Sequence, residues 1–220
     1  MKYLWLGIFF IILIWSAIYP KDQFTWFLEV FPALIGFVLI VFSYRKFPLT
    51  PLLYSLILIH MIILMVGGHY TYAEVPLFDW IKEVLHQSRN NYDKVGHFMQ
   101  GFEPAILARE ILIRKEVVKQ SQVWLNYIVL SIVLAFSAFY ELVEWWVALA
   151  TGDDAEAFLG TQGYVWDTQS DMMYALVGGI TALLLLSRWH DRQIKKLKIK
   201  NWRGCAVVLV LLDLCDDDTA

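Results

Sequence analysis

The chain has 220 residues, 59% of them apolar and 18% charged, with a formal net charge of −3. A soluble domain is nearer about 45–50% apolar and about 25% charged, and the charge balance offers no basic surface for nucleic acid. Its two cysteines, Cys205 and Cys215, have no zinc-like spacing and supply no disulfide framework.

The first apolar run, Leu4 to Tyr19, follows a single Lys2. Ser16-Ala17-Ile18 before Tyr19-Pro20 is a poor cleavage site, so the run reads as an uncleaved first helix rather than a signal peptide. A bilayer core about 30 Å thick takes about 20 helical residues to cross. Six segments meet that need, at 3–19, 24–43, 50–68, 93–113, 125–148 and 168–187. The fourth is the most polar, with Asp93, His97, Gln100 and Glu103. Between the third and fourth, Leu77, Phe78, Ile81, Val84 and Leu85 recur at helical spacing, which predicts an interfacial helix at 75–87. Trp80, Trp145, Trp146 and Trp166 fit an aromatic belt at the same membrane face.

The expected fold is therefore all-α, a polytopic transmembrane bundle of about six spans in one domain (1–200), with both termini cytoplasmic and a cytoplasmic tail at 201–220. Within the tail, Ala206 to Leu212 is too short to span. The orientation comes from Lys and Arg. It places 14 of the 18 basic residues inside, Arg109, Arg114 and the run Arg188 to Arg203 among them. Lys21, Lys82, Arg89 and Lys94 remain outside, while Asp153, Asp154 and Glu156 read as a solvated outer loop.

Ionisable residues within spans cost roughly 2.5–3.5 kcal/mol each on insertion scales and tend to mark function. Asp93 and His97 are four apart, Glu141 and Glu144 three apart after Ser137, and Asp167 and Asp171 four apart. Each pair projects from one side of its helix. The topology carries all three pairs, with His69 and Tyr70, to the outer ends of their helices.

Such a set suits two chemistries. Carboxylates and imidazoles from facing helices bind divalent metals such as Zn, Mn, Fe or Mg. They also serve as general acid and base. The candidate site is His97, Glu141, Glu144 and Asp171, which would also ligate the metal, with Asp93 and Asp167 orienting it. The substrate class would be a lipid or lipid-linked headgroup at the outer leaflet. A proton- or cation-coupled transporter and a non-catalytic scaffold are the alternatives; the oligomeric state is not specified.

Blander readings stand beside these. Asp93 and Asp167 sit where an acid caps a helix N-terminus, and Lys94 reads as interfacial. His60 reads as a packing histidine. Glu103 precedes Pro104, which interrupts the helix ladder. Gly67-Gly68 and Gly178-Gly179 read as close-packing sites.

Three stretches carry a resemblance: Asn91-Tyr92-Asp93-Lys94-Val95-Gly96-His97-Phe98, Tyr140-Glu141-Leu142-Val143-Glu144-Trp145 and Trp166-Asp167-Thr168-Gln169-Ser170-Asp171. On these, the chain resembles the YjdF family of bacterial inner-membrane proteins over nearly its whole length, which implies a multi-pass inner-membrane location. More loosely, the last half is similar to VanZ-like membrane proteins, named for a glycopeptide-resistance determinant. That pattern matches Asp93, Lys94, His97, Glu141, Asp171 and Gly178, but Tyr174 stands where VanZ-like chains usually carry Asn. Neither resemblance supplies an activity.

Overall fold

The computed structural model describes residues 2–118, 121–152 and 161–197. Seven helices are found among them: α1 (Lys2–Ala17), α2 (Gln23–Ser43), α3 (Pro51–His69), α4 (Pro76–Val84), α5 (Tyr92–Arg114), α6 (Gln122–Thr151) and α7 (Asp167–Lys196). The expectations for Asp153, Asp154, Glu156, the two cysteines and the 201–220 tail lie outside the described residues.

Local chemistry sets several helix starts. The Asp22 carboxylate accepts from Thr25 N at 2.6 Å and caps α2. Thr50 Oγ1 accepts from Leu53 N at the head of α3, with Pro51 at the first helical position. Ser121 caps α6 through Trp124 N.

Four helices, α2, α3, α6 and α7, are long and apolar enough to cross a membrane, while α1 is shorter at 16 residues. Their large exposed side chains, such as Leu184 (79%) and Phe42 (76%), suit lipid rather than water. The polar α5 is explained by its surroundings. It packs against α3, α6 and, most extensively, α7, and its polar residues are buried against protein. Helix α7 runs to Lys196, well past the predicted end at 187. The interfacial helix is shorter than expected, at Pro76–Val84, and buries none of its residues.

Two glycines set the closest helix contact. A Cβ on Gly101 of α5 would collide with the Ala175 carbonyl of α7, and one on Gly178 of α7 with the Phe98 carbonyl of α5. Only a backbone without side chains allows this approach, which is how small residues bring helices together in lipid. Around the contact, Leu53, Met65, Ala105, Ile106, Val129, Val133 and Ala182 form a continuous buried core.

Candidate functional site

The close α5–α7 contact brings Asp93, Lys94 and His97 opposite Asp167 and Asp171. Lys94 Nζ donates to Asp171 Oδ1 at 2.6 Å, to Asp167 Oδ1 at 2.7 Å and to Asp93 Oδ2 at 3.2 Å. Arg89, in the segment before α5, donates to Asp167 Oδ1 at 2.6 Å and to Asp93 Oδ2 at 3.4 Å. The Tyr164 ring lies over both cations, 5.7 Å from Arg89 and 5.9 Å from Lys94.

His97 stands at the centre. Its Nε2 lies 3.2 Å from Asp93 Oδ1 and 3.8 Å from Asp171 Oδ1. Its Nδ1 lies 3.0 Å from Gln100 Oε1 and 3.8 Å from Glu141 Oε1. Ligand atoms of Asp93, His97 and Asp171 all lie within 4.8 Å of one another, as do those of His97, Glu141 and Glu144. The structure thus brings all six sequence-predicted residues together, five of them buried and Glu144 half-buried. Ser137, on the same stripe as Glu141, is fully buried.

Three readings change. Asp93 and Asp167 are not capping side chains. The caps of α5 and α7 are Asn91 and Trp166, neither making a side-chain cap hydrogen bond, and both aspartates are held instead by Arg89 and Lys94. Lys94 is not an interfacial lysine but a buried cation, 7% exposed, spanning three carboxylates. His69 also leaves the cluster. Its Nδ1 meets the Ser16 carbonyl at 3.0 Å, and its ring lies against Trp15 of α1.

Other members were missed from sequence. Glu29 of α2 is buried beside the Tyr72 and Tyr140 hydroxyls. A lone carboxylate one turn inside an apolar run was the available signal. Tyr72 reaches this position from a turn in which Thr71 and Tyr72 both have positive φ, 54° and 55°. Its ring occupies the space a Cβ would take on Gly67 of α3 and Gly96 of α5. Above the cluster, Asn90 and Gln162 exchange hydrogen bonds. Asn90 N donates to Gln162 Oε1 at 3.0 Å, and Gln162 Nε2 donates to Asn90 O at 2.9 Å. The Asn90 side chain ties down α4 through Val75 O and Asp79 Oδ1.

A second network fills the opposite end of the bundle. Glu110 of α5 accepts from Thr50 Oγ1 at 2.8 Å and from Arg114 at 2.7 Å, and faces His190 Nε2 at 2.9 Å. Because a guanidinium only donates, His190 Nδ1 accepts from Arg109 at 3.2 Å and its Nε2 proton points to Glu110. Arg109 reaches on to Asp191 at 2.7 Å. Between the two ends, His60 Nδ1 lies 3.2 Å from Glu103 Oε2, so the packing histidine pairs with the glutamate.

Apolar, lipid-suited helices around a buried carboxylate–imidazole centre define a multi-pass helical membrane protein. The chain belongs to the family described as predicted membrane protein (DUF2238), which matches residues 1–192. It is 52% identical over 186 residues to the inner membrane protein YjdF of Escherichia coli (strain K12), covering 84% of this chain and 88% of that protein. This kinship places it among multi-pass proteins of the bacterial inner membrane. The looser likeness to VanZ-like proteins is not shown by these matches. No solved structure matches the chain.

Proposed function

We propose that the carboxylate–histidine centre faces the outer side of the inner membrane. There it performs divalent-cation-dependent chemistry on a lipid or lipid-linked envelope substrate. Both termini are cytoplasmic in this reading, and α1 and α5 join the four long apolar helices as spans. The distribution of Lys and Arg supports that orientation.

The observation that carries the proposal is a charge mismatch. Six carboxylates, Glu29, Asp93, Glu141, Glu144, Asp167 and Asp171, share the region with Arg89, Lys94 and one imidazole. Uncompensated acids at low dielectric are costly, so such a set retains protons or a cation. A bound divalent ion would supply Lewis acidity toward a headgroup oxygen. Carboxylates beyond its ligand set would accept or return the proton. Val95, Phe98 and Tyr174 form a shallow, open apolar hollow beside Lys94.

The test compares lipid and lipid-linked species from cells with and without the protein. One species should accumulate without it and be cleared by the wild-type chain but not by Glu144→Gln. Unchanged lipid profiles would overturn the reading.

The transport alternative has His60, Glu103 and Glu110 in its favour. Yet Glu103 and Glu110 are separated by about 10 Å of helix at about 1.5 Å per residue. That interval carries buried Ala105, Ile106 and Ala108. Glu141-dependent cation flux in proteoliposomes would favour transport. Stable alanine variants with neither flux nor a lipid change would favour a scaffold.

A further inference from the structure

We propose that the divalent cation sits on the Nδ1 side of His97. Its ligands are that nitrogen and the carboxylates of Glu141 and Glu144, with the Gln100 side-chain oxygen adjoining. Lys94 closes the opposite, Nε2 side to a second ion. The proposal rests on the cation-dependent reading above and locates its ion.

Two triads share His97, and their electrostatics differ. On the Nε2 side, the Asp93 and Asp171 carboxylates already bond Lys94 Nζ, at 3.2 and 2.6 Å. That ammonium already compensates both carboxylates, and a second cation beside it would be repelled. On the Nδ1 side, no Lys or Arg among the described residues pairs with Glu141 or Glu144; the ion-pair partner of Glu141 is His97 itself. Glu141 Oε1 is buried and has no hydrogen-bond partner, in a residue only 8% exposed. A buried carboxylate oxygen left without a donor is expensive, and a metal ion resolves the deficit.

The imidazole is prepared for this role. Its Nε2 faces Asp93 Oδ1 at 3.2 Å, while its Nδ1 donates to Gln100 Oε1 at 3.0 Å and lies 3.8 Å from Glu141 Oε1; an ion on this side would displace the Nδ1 proton and leave the Nε2 proton directed at Asp93. Metal-binding histidines commonly donate their other N–H to a carboxylate, which fixes the ring and raises its basicity. Asp93 would do this here as a positioning residue, itself anchored by Arg89 and Lys94. Ligands bonded to one ion at about 2.1 Å stand about 3.0–3.4 Å apart. The 3.8 Å separation of His97 Nδ1 and Glu141 Oε1 closes to that by a small movement of a flexible side chain. One nitrogen and two carboxylates suit Zn²⁺, Mn²⁺ or Fe²⁺.

The experiment uses the full chain in nanodiscs, stripped with chelator and titrated with Mn²⁺ or Zn²⁺ alone. One ion should bind per chain, and electron spin-echo spectra of bound Mn²⁺ should show coupling to one imidazole nitrogen. Glu141→Gln and Glu144→Gln should each weaken binding at least ~10-fold. Because each removes an excess buried charge, the metal-free thermal midpoint should hold or rise, which separates ligand loss from misfolding. No ion on the wild-type chain overturns the proposal, as does an ion kept by both glutamine variants but lost in Asp171→Asn. The two readings fail separately. Lipid turnover that persists in chelator removes the ion and leaves the enzyme. An ion bound as described with unaltered lipid profiles does the reverse.

Discussion

The Lys94 ammonium and the Asp171 carboxylate, 77 residues apart in the chain, meet at 2.6 Å between α5 and α7. Both are buried, so neither has water to fall back on if the other is removed. Lys94→Met should destabilise the protein by about 3–5 kcal/mol, the usual penalty for orphaning buried charge. Thermal unfolding in nanodiscs measures this. Combining it with Asp171→Asn should lose less than the sum of the single changes. Strict additivity would show that the pair is not coupled.

Distance alone does not set the strength of an ion pair, and Lys21 supplies the comparison. Lys21 Nζ also stands 2.6 Å from a carboxylate, Glu74, and this contact raises the lysine pKa. Both side chains are more than half exposed, however, and water screens such pairs. Lys21→Ala should leave the unfolding midpoint unchanged under the conditions that reveal the Lys94→Met loss. A comparable drop at Lys21 would contradict burial as the deciding variable.

The Glu110 network should behave like the Lys94 site. Four donors converge on this carboxylate: Thr50 N, Thr50 Oγ1, Arg114 and His190. Glutamine replaces one acceptor oxygen by an amide donor that must face another donor. Glu110→Gln should cost about 3–5 kcal/mol and loosen the start of α3, because Thr50 caps that helix. Hydrogen exchange at Leu53 and its neighbours reports the second effect. Unchanged protection there would separate the cap from the carboxylate.

Steric contact at the α5–α7 crossing gives a prediction with its own control. Gly101→Ala and Gly178→Ala each drive a methyl into facing backbone, which cannot rotate aside. Each should cost at least about 1–3 kcal/mol and lengthen the Lys94–Asp171 contact. Gly7→Ala meets nothing within 4 Å and should be tolerated. Equal tolerance at all three positions would mean the helices cross elsewhere.

Membrane orientation is testable with an impermeant thiol reagent on intact cells, after Cys205 and Cys215 are changed to serine. Ser88→Cys, before α5, should label from outside. Arg45→Cys, after α2, should label only once the membrane is opened. Both positions are exposed, and the reverse pattern would invert the proposed orientation.

Much of this arrangement was readable in advance because helical period and span length are local properties. Asp93 with His97 and Asp167 with Asp171 recur at four residues, so their shared faces needed no tertiary information. The role of Lys94 was not readable. Beside Asp93 it resembles any interfacial lysine, and only the approach permitted by Gly101 and Gly178 surrounds it with acids. Capping and ion pairing likewise use the same first-turn positions, so Asp93 and Asp167 could be assigned only once Arg89 was located. Glu110 and His190 are 80 residues apart, and no spacing rule connects them. Glu29 was a different case, since a single charge in an apolar run carries a local signal with no partner at helical spacing.

The reciprocal amide pairing of Asn90 with Gln162 lies over all this chemistry yet bears no charge. A change at position 162 would remove two neutral hydrogen bonds that join the segment before α7 to the segment before α5, while the Lys94 ion pairs use none of the lost atoms.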